Sequence, residues 1–132
     1  MARLDGPSST AGGVLNGNIG TAVVAATHVA LGAGWGGAAT ATVLTGSNSQ
    51  RGQISVTAST TTPAQATASI VLTFPDPYTS APFCIQKDTT NNNSLTAAAT
   101  FTCVTTTTTA TFQFSILPVD TKIYVLNYAF SL

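Results

Sequence analysis

Residues 32–57 read GAGWGGAATATVLTGSNSQRGQISVT, and this stretch constrains the fold more than any other. It opens with four glycines around Trp35, the only tryptophan in the chain. An alternating run follows, with Ala39, Ala41 and Val43 on one face and Thr40, Thr42 and Leu44 on the other. After the polar segment Gly46-Ser-Asn-Ser-Gln-Arg-Gly52, a second run alternates Ile54, Val56 and Ala58 with Ser55, Thr57 and Ser59. Successive side chains of a strand point to opposite faces. Two such runs around a turn rich in Gly, Asn and Ser predict a β-hairpin.

The same period recurs down the chain. Residues 21–31, TAVVAATHVAL, fit neither period cleanly; valines between glycine-rich flanks predict a first strand, with a short helix as the alternative. Residues 66–74 place Ala68, Ile70, Leu72 and Phe74 on one face, the clearest strand, and Pro75-Asp-Pro77 stops it. Residues 83–87 and 95–104 read as strands joined by a long polar hairpin loop over 88–94. Residues 111–116 alternate Phe112, Phe114 and Ile116. In residues 121–131, Ile123, Val125 and Ala129 share one face and Tyr124, Leu126, Tyr128 and Phe130 the other. With both faces apolar, this last strand is either central or covered by a neighbouring subunit. Threonine is abundant and glutamate absent, a composition that favours strands over helices. About seven or eight short strands with frequent turns predict an all-β fold, a single antiparallel β-sandwich of jelly-roll-like type. It would span residues 21–132 behind an extended N-terminal arm, residues 1–20.

Charge narrows the function. Arg3, Arg51, Lys87 and Lys122 balance Asp5, Asp76, Asp88 and Asp120, for a net charge of zero. Nucleic acid and anionic membrane surfaces are bound through basic faces, so neither is an expected partner. So few charges leave little repulsion between molecules, which suggests a surface covered by other subunits. In the arm, Leu4, Val14, Leu15 and Ile19 are the sizeable apolar groups. The arm is read either as a disordered tail or as a segment that orders against a partner through these four. No secretory signal pattern follows Met1, so the chain reads as a whole product made in a cytoplasm and not exported by that route.

Chemistry is sparse. His28 is the only histidine, which leaves a Ser-His-Asp set as the one triad to consider, and no GxSxG elbow is present. The aspartates fall in turn sequences and form no spaced pair. No cofactor or metal is expected, since neither CxxC spacing nor a second histidine exists. In a simple hairpin about Asn91-Asn92-Asn93, Cys84 and Cys103 would face each other within disulfide reach. However, Cys103 shares a face with Phe101, whereas Cys84 lies opposite Phe83 and Ile85, so both apolar sets cannot face one core without a bulge. Together with an intracellular origin, this favours two reduced, buried cysteines. Asn92-Asn93-Ser94 fits the glycosylation pattern, read as coincidence. Trp35 is either a core residue closing one end of the sandwich, a sugar-stacking platform or an interface anchor. Arg51 is a rare charge at an exposed loop, a solvated charge or a contact to ligand or subunit. Tyr124 and Tyr128 on the last strand are further interface candidates.

The glycine–tryptophan hairpin of residues 32–57, the strand ending Phe-Pro ahead of APFCI, and the terminal strand ending NYAF together resemble small β-sandwich domains of tailed-bacteriophage virion proteins. Such domains occur as capsid decoration (cement) proteins and at fibre tips. The resemblance covers roughly residues 29–130. It implies a virion protein, commonly a homotrimer, with itself and the major capsid protein or other virion proteins as partners. A decoration role is the first expectation, because only a short segment precedes the hairpin. A fibre-tip module recognising a host glycan, through Trp35, Tyr78 and the Asn- and Thr-rich loops, is the alternative. An enzyme is not expected.

Overall fold

The computed structural model describes residues 22–59, 68–88, 101–114, 118 and 121–132. Leu4, Val14, Leu15, Ile19 and the whole expected arm lie outside the described residues.

Among the described residues, eight strands form two four-stranded antiparallel sheets: β1 (Val29–Leu31), β2 (Thr40–Val43), β3 (Arg51–Thr57), β4 (Ser69–Thr73), β5 (Phe83–Asp88), β6 (Phe101–Thr105), β7 (Thr109–Phe114) and β8 (Ile123–Ser131). The first sheet has the order β1-β4-β7-β6 and the second β2-β3-β8-β5. The expected all-β sandwich is present. Only the β2–β3 and β6–β7 links stay within a sheet, and every other connection crosses between sheets. A jelly roll is wired as two Greek keys, and these orders do not establish that wiring.

The alternation explains the core. Ile54 and Val56 from β3, Ile70 and Leu72 from β4, Phe112 and Phe114 from β7, and Tyr124, Leu126, Tyr128 and Phe130 from β8 all point between the sheets and are buried. The hairpin read from residues 32–57 forms in register, with Thr40 opposite Thr57 and Val43 opposite Ile54. Strand β8 is central, flanked by β3 and β5, while Ile123 on its outer face stays exposed. The first strand is shorter than expected. A 3-10 turn, Ala26–His28, precedes β1, and Val23 makes only an isolated bridge to Asn48.

Trp35 ends a second 3-10 turn, Ala33–Trp35, in the link between β1 and β2. Its ring is fully buried, with centroids 5.3 Å from Phe114 and 5.4 Å from Tyr124, so it joins the two sheets. Its indole N–H donates to the Ser69 carbonyl at 2.9 Å, which satisfies the one polar atom that burial would otherwise strand. Gly36 follows at φ 94°, a left-handed conformation in which a side chain would be strained.

Two expectations about the cysteine strands are corrected. Residues 83–88 and 101–105 do not form a hairpin: β5 is the edge of the second sheet and β6 the edge of the first. Nor are the cysteines reduced, since Cys84 and Cys103 form a disulfide, with Cα atoms 6.3 Å apart. The parity conflict disappears because the inward positions of β5 are set by its register on β8. Cys84 pairs with inward-facing Phe130, while Phe83 and Ile85 face out and are 75% and 66% exposed. The bond therefore ties the edge of one sheet to the edge of the other.

Candidate functional site

The loop between β2 and β3 is polar in sequence but sinks into the fold, with Ser47 and Ser49 buried. Asn48 Oδ1 accepts from the backbone N–H groups of Gln50 and Arg51, which closes a local Asx-type turn. Two tyrosines then anchor consecutive peptide groups: Tyr128 donates to the Asn48 carbonyl at 2.9 Å and Tyr78 to the Ser49 carbonyl at 2.6 Å. Burial pushes both phenols above the ordinary value of 10.0, Tyr128 strongly so; beside Tyr78 the Asp76 charge adds to the effect, while a Ser47 hydrogen bond opposes it at Tyr128. Gly52 sits where Ser47 and the Tyr128 hydroxyl converge, and a Cβ there would lie 2.5 Å from both Ser47 Cβ and Tyr128 Oη.

This packing shapes an open hollow of about 380 Å³ on the outer face of the second sheet. Leu44, Thr45 and Gly46 form one lip, Gln53 and Asn127 line the floor, and Arg51 stands at the side. Gln53 Nε2 donates to Asn127 Oδ1 at 2.9 Å, from neighbouring registered positions of β3 and β8. Lys87 on β5 registers with Asn127 from the other side. Among the described residues, Arg51 and Lys87 are the charged side chains on this face, and neither makes an ion pair or a side-chain hydrogen bond.

Of the residues singled out from sequence, Arg51 is exposed as expected and borders the hollow. Trp35, Tyr124 and Tyr128 are placed in the core instead of at a surface, because their rings are already covered by this chain. Leu4, Val14, Leu15 and Ile19 fall outside the described residues and are not brought into the site. Tyr78 is buried as a loop anchor and offers no ring face to a sugar. His28 is structural: its Nδ1 accepts from the Ala25 N–H, with no Ser or Asp side chain bonded to it among the described residues. No group of three or more His, Cys, Asp or Glu that could hold a metal occurs among the described residues. The hollow itself escaped the sequence, since Gln53 and Asn127 on its floor meet only through the β3–β8 pairing, and Lys87 comes beside Asn127 only through the β8–β5 pairing.

Compared with known family models, curated proteins and solved structures, the chain matches none.

Proposed function

We propose that the chain is a non-enzymatic structural protein of a virion: a capsid decoration protein of tailed-bacteriophage type that works as a homotrimer on the shell. The observation that carries this reading is a pair of exposed apolar side chains on the outer face of β5, the edge strand of the second sheet. Phe83 and Ile85 project from β5, each at least 66% exposed, in a chain with only eight charged side chains. Large exposed apolar groups side by side on one edge strand mark a contact surface, and second copies of the chain are the occupants proposed here. The resemblance of residues 29–130 to small virion sandwiches supplies the setting, with the major capsid protein as the further partner. Native mass spectrometry tests it: the chain should be trimeric, and Phe83→Glu with Ile85→Glu should yield folded monomer. A monomeric wild-type chain would overturn the trimer. Electron microscopy of particles carrying the chain separates many copies over the shell from a few at the tail.

The second reading is a fibre-tip module that recognises a host glycan. The hollow beside Arg51 favours it, being concave and lined by amide, hydroxyl and guanidinium groups.

A further inference from the structure

We propose that this hollow binds the carboxylate of an acidic saccharide, with Arg51 as the principal contact and Lys87 as a second cation. The inference rests on the glycan-binding reading and names its ligand class. The charge distribution comes first. The chain is neutral overall, yet the described side chains on the outer face of the second sheet include two cations and no acid. Both lack a partner among the described residues, so neither is spent on holding the fold together. Strands β3 and β5 flank β8, with Arg51 level with Ala129 and Lys87 with Asn127, which sets their cationic positions roughly 12 Å apart, at two strand spacings across the sheet and two residues along it. A carboxylate over Asn127 would feel both charges, and guanidinium is the side chain best shaped to hold one in a bidentate grip.

The floor argues for a sugar. Gln53 gives one N–H to Asn127, and its Oε1 has no partner among the described residues. That oxygen can accept from a sugar hydroxyl. Leu44, 56% exposed at the lip, can cover an apolar C–H face. A volume of about 380 Å³ lies at the small end of the usual ligand range and suits one or two sugar rings. An acidic peptide is disfavoured by the same geometry. The floor lies on interior strands β3 and β8, each paired on both sides, so an extended peptide finds no free edge to join.

The full-length chain should be titrated calorimetrically, and by backbone amide chemical shifts, with three probes. These are a disaccharide containing glucuronic acid, the same disaccharide with its carboxyl reduced to an alcohol, and a short glutamate-rich peptide. The acidic disaccharide is expected to bind most tightly, shift the amides of residues 51–53 and 127–128, and weaken with added salt. Arg51→Gln, a change at an exposed side chain, should leave the thermal midpoint unchanged and cost about tenfold or more in affinity; Lys87→Gln should cost less. Equal binding of the reduced disaccharide at the same amides would overturn the carboxylate assignment while leaving glycan binding intact. Binding of neither sugar would sink both. Binding of the peptide as tightly as the acidic sugar, or shifts remote from Arg51, would overturn the inference.

Discussion

The Tyr128 hydroxyl donates a 2.9 Å hydrogen bond to the carbonyl of Asn48, a residue 80 positions earlier in the chain. That contact connects the central strand of the second sheet to the turn that shapes the hollow. Tyr128→Phe removes the donor and leaves a poorly hydrated carbonyl unmet. We expect a loss of about 1–3 kcal/mol in unfolding free energy by chemical denaturation. A loss below about 0.5 kcal/mol, the range of neutral surface changes, would show that the loop is held by other means.

The same two tyrosines predict alkaline sensitivity. Both folded-state phenols are raised above 10.0, whereas in the unfolded chain they ionise near that value. Above about pH 10 the unfolded state releases protons that the folded state retains, so stability is full below that pH and declines as pH rises. The slope should approach about 1.4 kcal/mol per pH unit from Tyr128, whose shift is the large one, with Tyr78 adding in the same direction. Denaturant midpoints that stay flat from about pH 9 to about pH 11 would contradict the assignment, and the Tyr78→Phe, Tyr128→Phe double variant should make the decline shallower.

Gly52→Ala is expected to cost about 1–3 kcal/mol. The added methyl meets Ser47 Cβ, which is one bond from the backbone and has little room to yield. Ultraviolet difference spectra should also register movement of the Tyr128 ring. An unchanged melting temperature would mean that the Ser47 loop relaxes freely.

Removing the disulfide as Cys84→Ser with Cys103→Ser should lower stability by about 3 kcal/mol, the loop-closure value for a sequence separation of 19. Reducing agent should lower the wild-type midpoint and leave the double variant unmoved. Persisting disulfides in mesophilic proteins belong to oxidising surroundings, so thiol titration of freshly lysed cells and of the purified chain should show where the bond forms. An equal midpoint with and without reductant would contradict a stabilising role.

Trp35 offers an intrinsic probe of the same core. Trp35→Phe loses ring volume between Phe114 and Tyr124 and the bond to the Ser69 carbonyl. A destabilisation of about 2–4 kcal/mol is expected. Wild-type fluorescence should be blue-shifted when folded and move to the red in a single denaturation transition.

Much of the sandwich was legible because period-two alternation reports which residues share a face. Ile54 with Val56, Ile70 with Leu72, and Phe112 with Phe114 are inward as the pattern implies. Alternation is silent on which strands are neighbours. Phe83 and Ile85 look like the inward set of β5, yet pairing with β8 turns Cys84 inward in their place. The burial of Ser47 and Ser49 was illegible for a related reason: serines beside Asn and Gly read as solvated turn, and their cover comes from Tyr78 and Tyr128, far along the chain. Of the hollow, Arg51 alone stood out as a rare charge. Its amide floor and the second cation depend on strand order. Trp35, Tyr124 and Tyr128 were ambiguous because large aromatics serve cores and interfaces equally well.

The bond between Cys84 and Cys103 gives the two sheets unequal margins. On the β5/β6 side they are stitched like the spine of a book; on the β1/β2 side the described residues hold them by packing and hydrogen bonds. Any tension that pries the layers apart must open them from the β1/β2 side, by displacing Trp35 from between Phe114 and Tyr124. The spine carries Phe83 and Ile85 on the outside of β5, so a neighbour gripping that pair would pull on the covalent margin and leave the weaker one unloaded.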